Sequence, residues 1–310
     1  MFNILEFSTQ TRPNYGEFYA VVSKNDVRNK NDGAEYLLME FQDSTGSIGG
    51  AKWTFTEEDR ELAVGEIVHV EGVPGMYNGK TQINSFTVSK ITDEDEIKKL
   101  RDVLVPTYSI PKELIEYFEN VVKGLKEPYR TFIETAVGCC GKDDKLFEKF
   151  CSAPSAVRHH GNKRGGLFLH TIGVMKSVEF MIQNYIQNPF YNYGTICELN
   201  PDRLKLKAIL HDVMKMRDYE YDGCIKYHQG NKIDHRGRGI IYISKINTLC
   251  GEIFDEDEMD DIAYSILSHH GQYGDGQYKF SNIEDCILHS ADMMDSQLVG
   301  RLEQGTYNMD

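Results

Sequence analysis

The sequence predicts a multi-domain α and β chain: a small β-barrel first, then a mostly α-helical domain. Three observations carry that prediction. Residues 1–92 alternate short runs rich in Val, Ile, Tyr, Phe and Thr with turn signals. From Pro111 onward, apolar residues recur three and four apart, the period of a helix face. Eight of the ten histidines fall between positions 159 and 270, inside the helical part.

The β part reads in order. YGEFYAVVSKNDVRN, EYLLMEFQDSTGSIGGAKW, EIVHVEGVPGMYNGKTQIN and SFTVSKI are the strand candidates. Asn31-Asp32-Gly33, Ser44-Thr45-Gly46 and Asn78-Gly79 separate them. Asn78-Gly79 is a two-residue hairpin signal, because both turn positions need φ > 0. Four or five strands in some 90 residues point to a closed barrel, with the OB-fold as the leading topology over 1–92. Residues 93–110, DEDEIKKLRDVLVPTYSI, begin highly charged and meet Pro106 and Pro111, which reads as a linker or a short connecting helix.

The α part, 111–310, follows. ELIEYFENVVKGL, YRTFIETAVG and KLFEKFCSA have amphipathic spacing, and Leu167–Ile186, Asp202–Met216, His235–Leu249, Glu256–His269 and Ile283–Leu302 continue it. Asn200-Pro201-Asp202 is a helix start. No period of 20–50 residues recurs, which excludes a solenoid.

Composition narrows the function classes. Apolar residues make up 40% and charged residues 26% of the 310, ordinary values for a globular protein. The net charge of −14 argues against a generally basic nucleic-acid coat. It leaves open a metal-lined cleft, where a bound cation dominates the local field. No secretory leader pattern and no run of about 18 apolar residues is seen, so no membrane association is expected. The seven cysteines form no CxxC pair and are expected as reduced, buried thiols in a cytoplasmic protein.

The histidines sit where polarity is costly. His170 lies in GGLFLHTIGVM, His211-Asp212 closes the apolar run LKAIL, and His235 opens a helix in IDHRGRGII. His269-His270 ends AYSILSHHG, and Asp292 lies in CILHSADMMD. A single such histidine is ordinarily a satisfied core residue, and a single His-Asp pair means little. The ordered set is different, since one metal satisfies several converging imidazoles and carboxylates together. Imidazole and carboxylate without thiolate suit Mn²⁺, Fe²⁺, Zn²⁺ or Mg²⁺. Mn²⁺ leads, with Ni²⁺ also in range, as one or two ions. On a continuous helix His211 and Asp212 point about 100° apart; at an opened helix end both can reach one ion or two neighbouring ions.

Together HTIGVM, LHDVMK, SHHG and SADMMD resemble the HD-domain superfamily of metal-dependent phosphohydrolases. RHHGNKRGGLFLHT and ILHSADMMDSQL extend the resemblance, over nearly the whole chain, to YhaM-type 3′–5′ exoribonucleases, which join an OB-fold to an HD domain. The resemblance implies His170, His211, Asp212 and Asp292 as ligands of a first metal. It implies His235 and His269 for a second, with Asp212 bridging and Lys215 of the HDxxK pattern on phosphate. Met214 stands where the family has Gly, and His228 competes with His235 for its role. The resemblance also suggests oligomers, here a homo-oligomer.

Phosphodiester hydrolysis needs an activated water and cations for the charge growing on phosphoryl oxygens. Lys215, Lys163-Arg164 beside His159-His160, and Arg236 and Arg238 beside His235 are the candidate cations. His159 or His160, the latter first, is a candidate proton donor or phosphate contact. Single-stranded nucleic acid is the expected partner. In the barrel, Trp53 and Tyr77 lead a set of possible base-stacking aromatics that includes Phe18, Phe41 and Phe55, with Lys52 and Lys80 interleaved. Residues 1–92 hold 8 Lys+Arg against 13 Asp+Glu, so modest, salt-sensitive affinity is expected. A 3′–5′ exonuclease on single-stranded RNA or DNA is the first functional expectation. A phosphohydrolase of free nucleotides or another small phosphorylated molecule is the second.

Overall fold

The computed structural model describes residues 3–9, 15–30, 32–156, 161–190, 199–222, 224–228, 230, 232–271 and 279–304. The chain divides into two compact units, Met1–Thr107 with Glu220–Lys226, and Tyr108–Tyr219 with Tyr227–Asp310.

The first unit is a closed barrel of five strands in the order β1-β2-β3-β5-β4. They are β1 (Gly16–Asn29), β2 (Glu35–Asp43), β3 (Gly46–Lys52), β4 (Ile67–Tyr77) and β5 (Lys80–Lys90). All neighbours are antiparallel except β3 and β5, which meet in parallel at Gly49 and Gln82. β1 belongs to two pairs, Gly16–Val21 against β4 and Val21–Asn29 against β2. A register shift between Val22 and Lys24 bends it from one to the other, as an extra residue in one strand does. SFTVSKI is the second half of β5, not a strand of its own. At the β4–β5 turn Asn78 and Gly79 have φ 49° and 75°, the pair of positive angles that turn requires.

Alternation sends Leu37, Met39 and Phe41 of β2 inward, to meet Phe18, Val22, Val68, Val70 and Ile83. Phe18 and Phe41 are fully buried, which corrects their expected availability for stacking: they fill the barrel. A short helix, α1 (Ile4–Ser8), adds Ile4 and Phe7 to that core. α2 (Glu57–Glu61) is held by a Thr56/Asp59 capping box. Within the stretch 93–110, α3 (Glu94–Leu104) starts at an Asp93 cap. Its Leu104 packs on Val21 and Ile67 of the same unit.

The second unit is helical: α4 (Lys112–Lys123), α5 (Tyr129–Val137), α6 (Asp144–Ser152), α7 (Gly166–Met181), α8 (Pro201–Leu210), α9 (His235–Leu249), α10 (Glu256–Ser268) and α11 (Ile283–Gln304). Phe118, Phe132, Phe150 and Phe168, all fully buried, anchor its core. A pair of short strands, β6 (Tyr219–Asp222) and β7 (Cys224–Tyr227), follows the 3₁₀ turn after α8, and its residues Glu220–Lys226 cluster with the first unit. Cys139 is buried, whereas Cys140, Cys151, Cys250 and Cys286 are only half-buried; all five are free thiols. No helix among the described residues is long and apolar enough to cross a membrane.

Candidate metal centre

The expected helix Asp202–Met216 does not run through. Asn200 caps α8, its side chain accepting from the Asp202 and Arg203 N–H groups, and regular α geometry stops at Leu210. His211 keeps helical angles, while Asp212 turns to φ −115°, ψ 8° and opens a 3₁₀ turn, Val213–Arg217. That break lets His211 Nε2 come within 3.4 Å of Asp212 Oδ2.

Four other helices converge on this point. His170, on α7, places Nε2 3.2 Å from His211 Nε2, 3.2 Å from Asp292 Oδ1 on α11 and 3.5 Å from Asp212 Oδ2. His235, the first residue of α9, places Nε2 3.2 Å from Asp212 Oδ1. His269, the C-cap of α10, places Nε2 3.7 Å from the same oxygen. The ligand atoms therefore fall into two groups sharing Asp212: His170, His211 and Asp212 in one, and Asp212, His235, His269 and His270 in the other, each within 4.8 Å. All six residues expected as ligands are brought together. His270, adjacent to His269 in the SHHG motif, joins them and was not assigned from sequence.

Hydrogen bonds aim these rings. His211 Nδ1 lies 2.8 Å from the Ala208 carbonyl, and His269 Nδ1 2.7 Å from that of Ile266. A carbonyl only accepts, so each Nδ1 carries the proton and each Nε2 turns a lone pair toward Asp212. His170 Nδ1 pairs with Asp295 Oδ2 at 2.8 Å. Asp295 is a second residue that sequence reasoning missed; its position one turn after Asp292 in SADMMDS was the available signal. Gly173 makes room for it, since a Cβ there would sit 1.9 Å from Asp295 Oδ1.

The residues fit a divalent cation. Among the described residues, Asp212 Oδ1, His235 Nε2 and His269 Nε2 are buried without a hydrogen-bond partner, an arrangement that is costly unless a cation accepts their lone pairs. Burial works against charge on Asp212, yet the carboxyl is held well below its usual range, with the Lys215 ammonium the largest opposing influence. Burial likewise opposes the His170 imidazolium, but hydrogen bonds to Asp292 and Asp295 raise its pKa to about 9. Burial, chiefly, holds His269 well below the usual imidazole value. His270 is pushed down to about 4, chiefly by burial. His269 and His270 are thus kept neutral on nitrogen, as metal ligands must be.

The candidate phosphate contacts are distributed differently. Lys215 Nζ lies 2.6 Å from Asp212 Oδ2, at the centre. Arg238 pairs with buried Asp218 at 2.5 Å, and Asp218 lies 3.9 Å from His235 Nδ1. Arg236 holds the Asp234 carboxylate at the start of α9. Lys163 lies over the Tyr108 ring, and the Arg164 carbonyl accepts the Tyr108 N–H. His159 and His160 lie outside the described residues. His228, the competitor of His235, is exposed, and its Nδ1 accepts the Gly230 N–H.

In the barrel unit, Trp53 and Tyr77 are exposed and line one groove of about 820 Å³ with Lys24, Tyr36 and Lys80. Tyr36 packs on Trp53 at 4.7 Å, and the Lys30 ammonium lies 4.7 Å from the Trp53 ring centre. Lys52, in contrast, is tied to Asp59 at 3.2 Å. Phe55 packs half-buried against the barrel core.

Comparison with known proteins agrees with this picture. Residues 167–296 match the HD domain. The 3′-5′ exoribonuclease YhaM of Listeria welshimeri is 23% identical over 286 residues, covering 91% of this chain and 85% of the relative. That of Listeria monocytogenes is 25% identical over 271 residues, covering 86% and 80%. That of a Geobacillus species is 24% identical over 270 residues, covering 86% and 78%. The resemblance read from the motifs is borne out.

Proposed function

We propose that this chain, an HD-domain metal-dependent phosphohydrolase similar along most of its length to YhaM exoribonucleases, is a 3′–5′ exonuclease of single-stranded RNA. The observation that carries the reading is the shared carboxylate. Asp212 turns one oxygen to His170 and His211 and the other to His235 and His269, a design suited to two adjacent cations on one phosphodiester. Mn²⁺ is the proposed metal. The direction of digestion and the RNA substrate follow the relatives, which are 3′-5′ exoribonucleases.

His170, His211, Asp212 and Asp292 would hold one ion, and Asp212, His235, His269 and His270 the other. Such ions supply Lewis acidity and a water of lowered pKa. The chain's own residues do the rest. Lys215, beside Asp212, places a positive charge where phosphoryl oxygens gain charge in the transition state. Asp295 and the Ala208 and Ile266 carbonyls keep the imidazoles aimed. Arg238 and Asp218 brace the start of α9, and with it His235. His160 as proton donor, and Lys163, Arg164 and Arg236 as phosphate contacts, belong to the same proposal; Arg238, paired with Asp218, does not.

The barrel would hold the strand. The order β1-β2-β3-β5-β4 with a parallel β3–β5 contact supports an OB-fold over 1–92, with 93–110 as the connection to an HD domain over 111–310. The Trp53–Tyr36–Tyr77 groove lies on the β2–β3 face, which OB-folds use for single strands. A cytoplasmic homo-oligomer completes the reading.

End-labelled RNA, single-stranded DNA and a panel of free nucleotides, each with Mn²⁺ or EDTA, test it. Stepwise release of mononucleotides from the 3′ end of RNA, abolished by EDTA, is the expected outcome. Hydrolysis of free nucleotides alone replaces it with the small-molecule reading.

A further inference from the structure

A buried charge cluster lies below the metal centre, unused by the mechanism above. Lys207 on α8 is fully buried. Its ammonium lies 2.5 Å from Asp261 Oδ2 on α10, 2.9 Å from Glu284 Oε2 and 4.0 Å from Asp285 Oδ1 on α11. Arg203, one turn earlier on α8, makes a two-pronged contact with Glu284, both distances 2.8 Å, and reaches Glu258 and Asp261 on α10. Ser265 on α10 donates to Asp285 at 2.5 Å. Ser281 and Asn282 complete the carboxylate contacts, Ser281 on Asp285 and Asn282 on Asp261.

The spacing of these residues from the centre is regular. Lys207 precedes His211 by four residues, and Ser265 precedes His269 by four. Asp261 precedes His269 by eight, and Asp285 and Glu284 precede Asp292 by seven and eight. Four, seven and eight residues return to the same helix face. At 1.5 Å per residue the cluster sits roughly 6–12 Å down each axis from the ligands. It joins α8, which leads into His211-Asp212, α10, which ends at His269, and α11, which carries Asp292.

Stability alone does not call for such a cluster, because well-packed apolar groups serve as well or better. Ion pairs with several fixed partners add directionality: an axial slip of one helix separates the charges, whereas an apolar contact tolerates it. We infer that Arg203 and Lys207, with Asp261, Ser265, Glu284 and Asp285, are positioning residues that lock α8, α10 and α11 in axial register and so set the distances among Asp212, His269 and Asp292. The inference rests on the reading of those three as metal ligands.

The test is Mn²⁺ affinity by calorimetry on the purified full-length chain, at a temperature where circular dichroism shows every variant folded. Lys207→Met with Glu284→Gln removes one charge of each sign; Ser265→Ala is the milder change, decisive if the double variant does not fold. Val122→Ala, a buried α4 position outside the cluster, is the control for general destabilisation. Expected are affinities about tenfold or more weaker for the double variant, the range seen when groups supporting ligands are lost. Ser265→Ala should be severalfold weaker, and Val122→Ala unchanged despite a lower Tm. Wild-type affinity in the folded Ser265→Ala and double variants, or equal weakening by Val122→Ala, overturns the inference. A wild-type chain that binds no Mn²⁺ removes the metal reading itself.

Discussion

Asp212 concentrates the demands of the centre in one side chain. Both its oxygens face imidazole nitrogens from separate helices, and Lys215 leans on one of them. Asp212→Asn should therefore abolish high-affinity metal binding and lower phosphodiesterase activity by about 10²–10³-fold or more, read by metal analysis and a turnover assay on the same sample. Asp295 acts through His170. Asp295→Asn keeps the shape but weakens the acceptor, so Mn²⁺ affinity should fall about 10–100-fold with little change in Tm. Glu284 carries a pH dependence. Burial raises its pKa, but Arg203 and Lys207 outweigh burial and hold it below 4.5. A depressed carboxyl contributes stability that is full above the unfolded value and is lost as pH falls through the folded one. Thermal melts should therefore show acid destabilisation beginning below about pH 4.5, and Glu284→Gln should flatten that limb while lowering Tm near neutrality. A Gln variant with unchanged pH sensitivity would contradict the assignment.

At the scale of elements, the α8 break and the α7–α11 contact decide the geometry. The apolar period over 202–216 reads as one helix, because periodicity reports which residues face the core. It does not report that the backbone changes hand-hold at Asp212, whose φ of −115° is stabilised by contacts from other helices. At Gly173, α7 lies tight against Asp295 of α11. Gly173→Ala would drive a methyl into the Asp295 carboxylate, at about 1–3 kcal/mol for overpacking. Tm and Mn²⁺ affinity should fall together, unlike in Asp295→Asn; a variant with normal affinity would show that Asp295 can move without consequence. Among the other helices, α3, α6, α9 and α10 were legible within a few residues, since their starts carry Asp93, Asp143, Asp234 and Asp255 as caps.

At the scale of the molecule, the proposed function puts hydrolysis and strand binding in separate units, which would make them separable by mutation. Trp53→Ala and Tyr77→Ala should weaken binding of long single-stranded RNA by about 1–3 kcal/mol for each stacked base lost, measured by fluorescence anisotropy at fixed salt. Hydrolysis of a small chromogenic phosphodiester should not change. Equal loss on both substrates would assign those aromatics to folding instead.

By itself, the sequence determined the β-then-α order, the strand and helix periods, the Asn78-Gly79 turn and the six residues that converge on the centre. Those follow from local preference and from the cost of leaving imidazole and carboxylate unpaired on apolar helix faces. Only the tertiary structure decided which aromatics are exposed, since Phe18 and Trp53 read alike until the barrel closes around one of them. It likewise decided that His270 faces Asp212, that Asp295 orients His170 and that Arg238 spends its charge on Asp218. Each is a meeting of side chains far apart along the chain, fixed by how helices pack and written in no single segment.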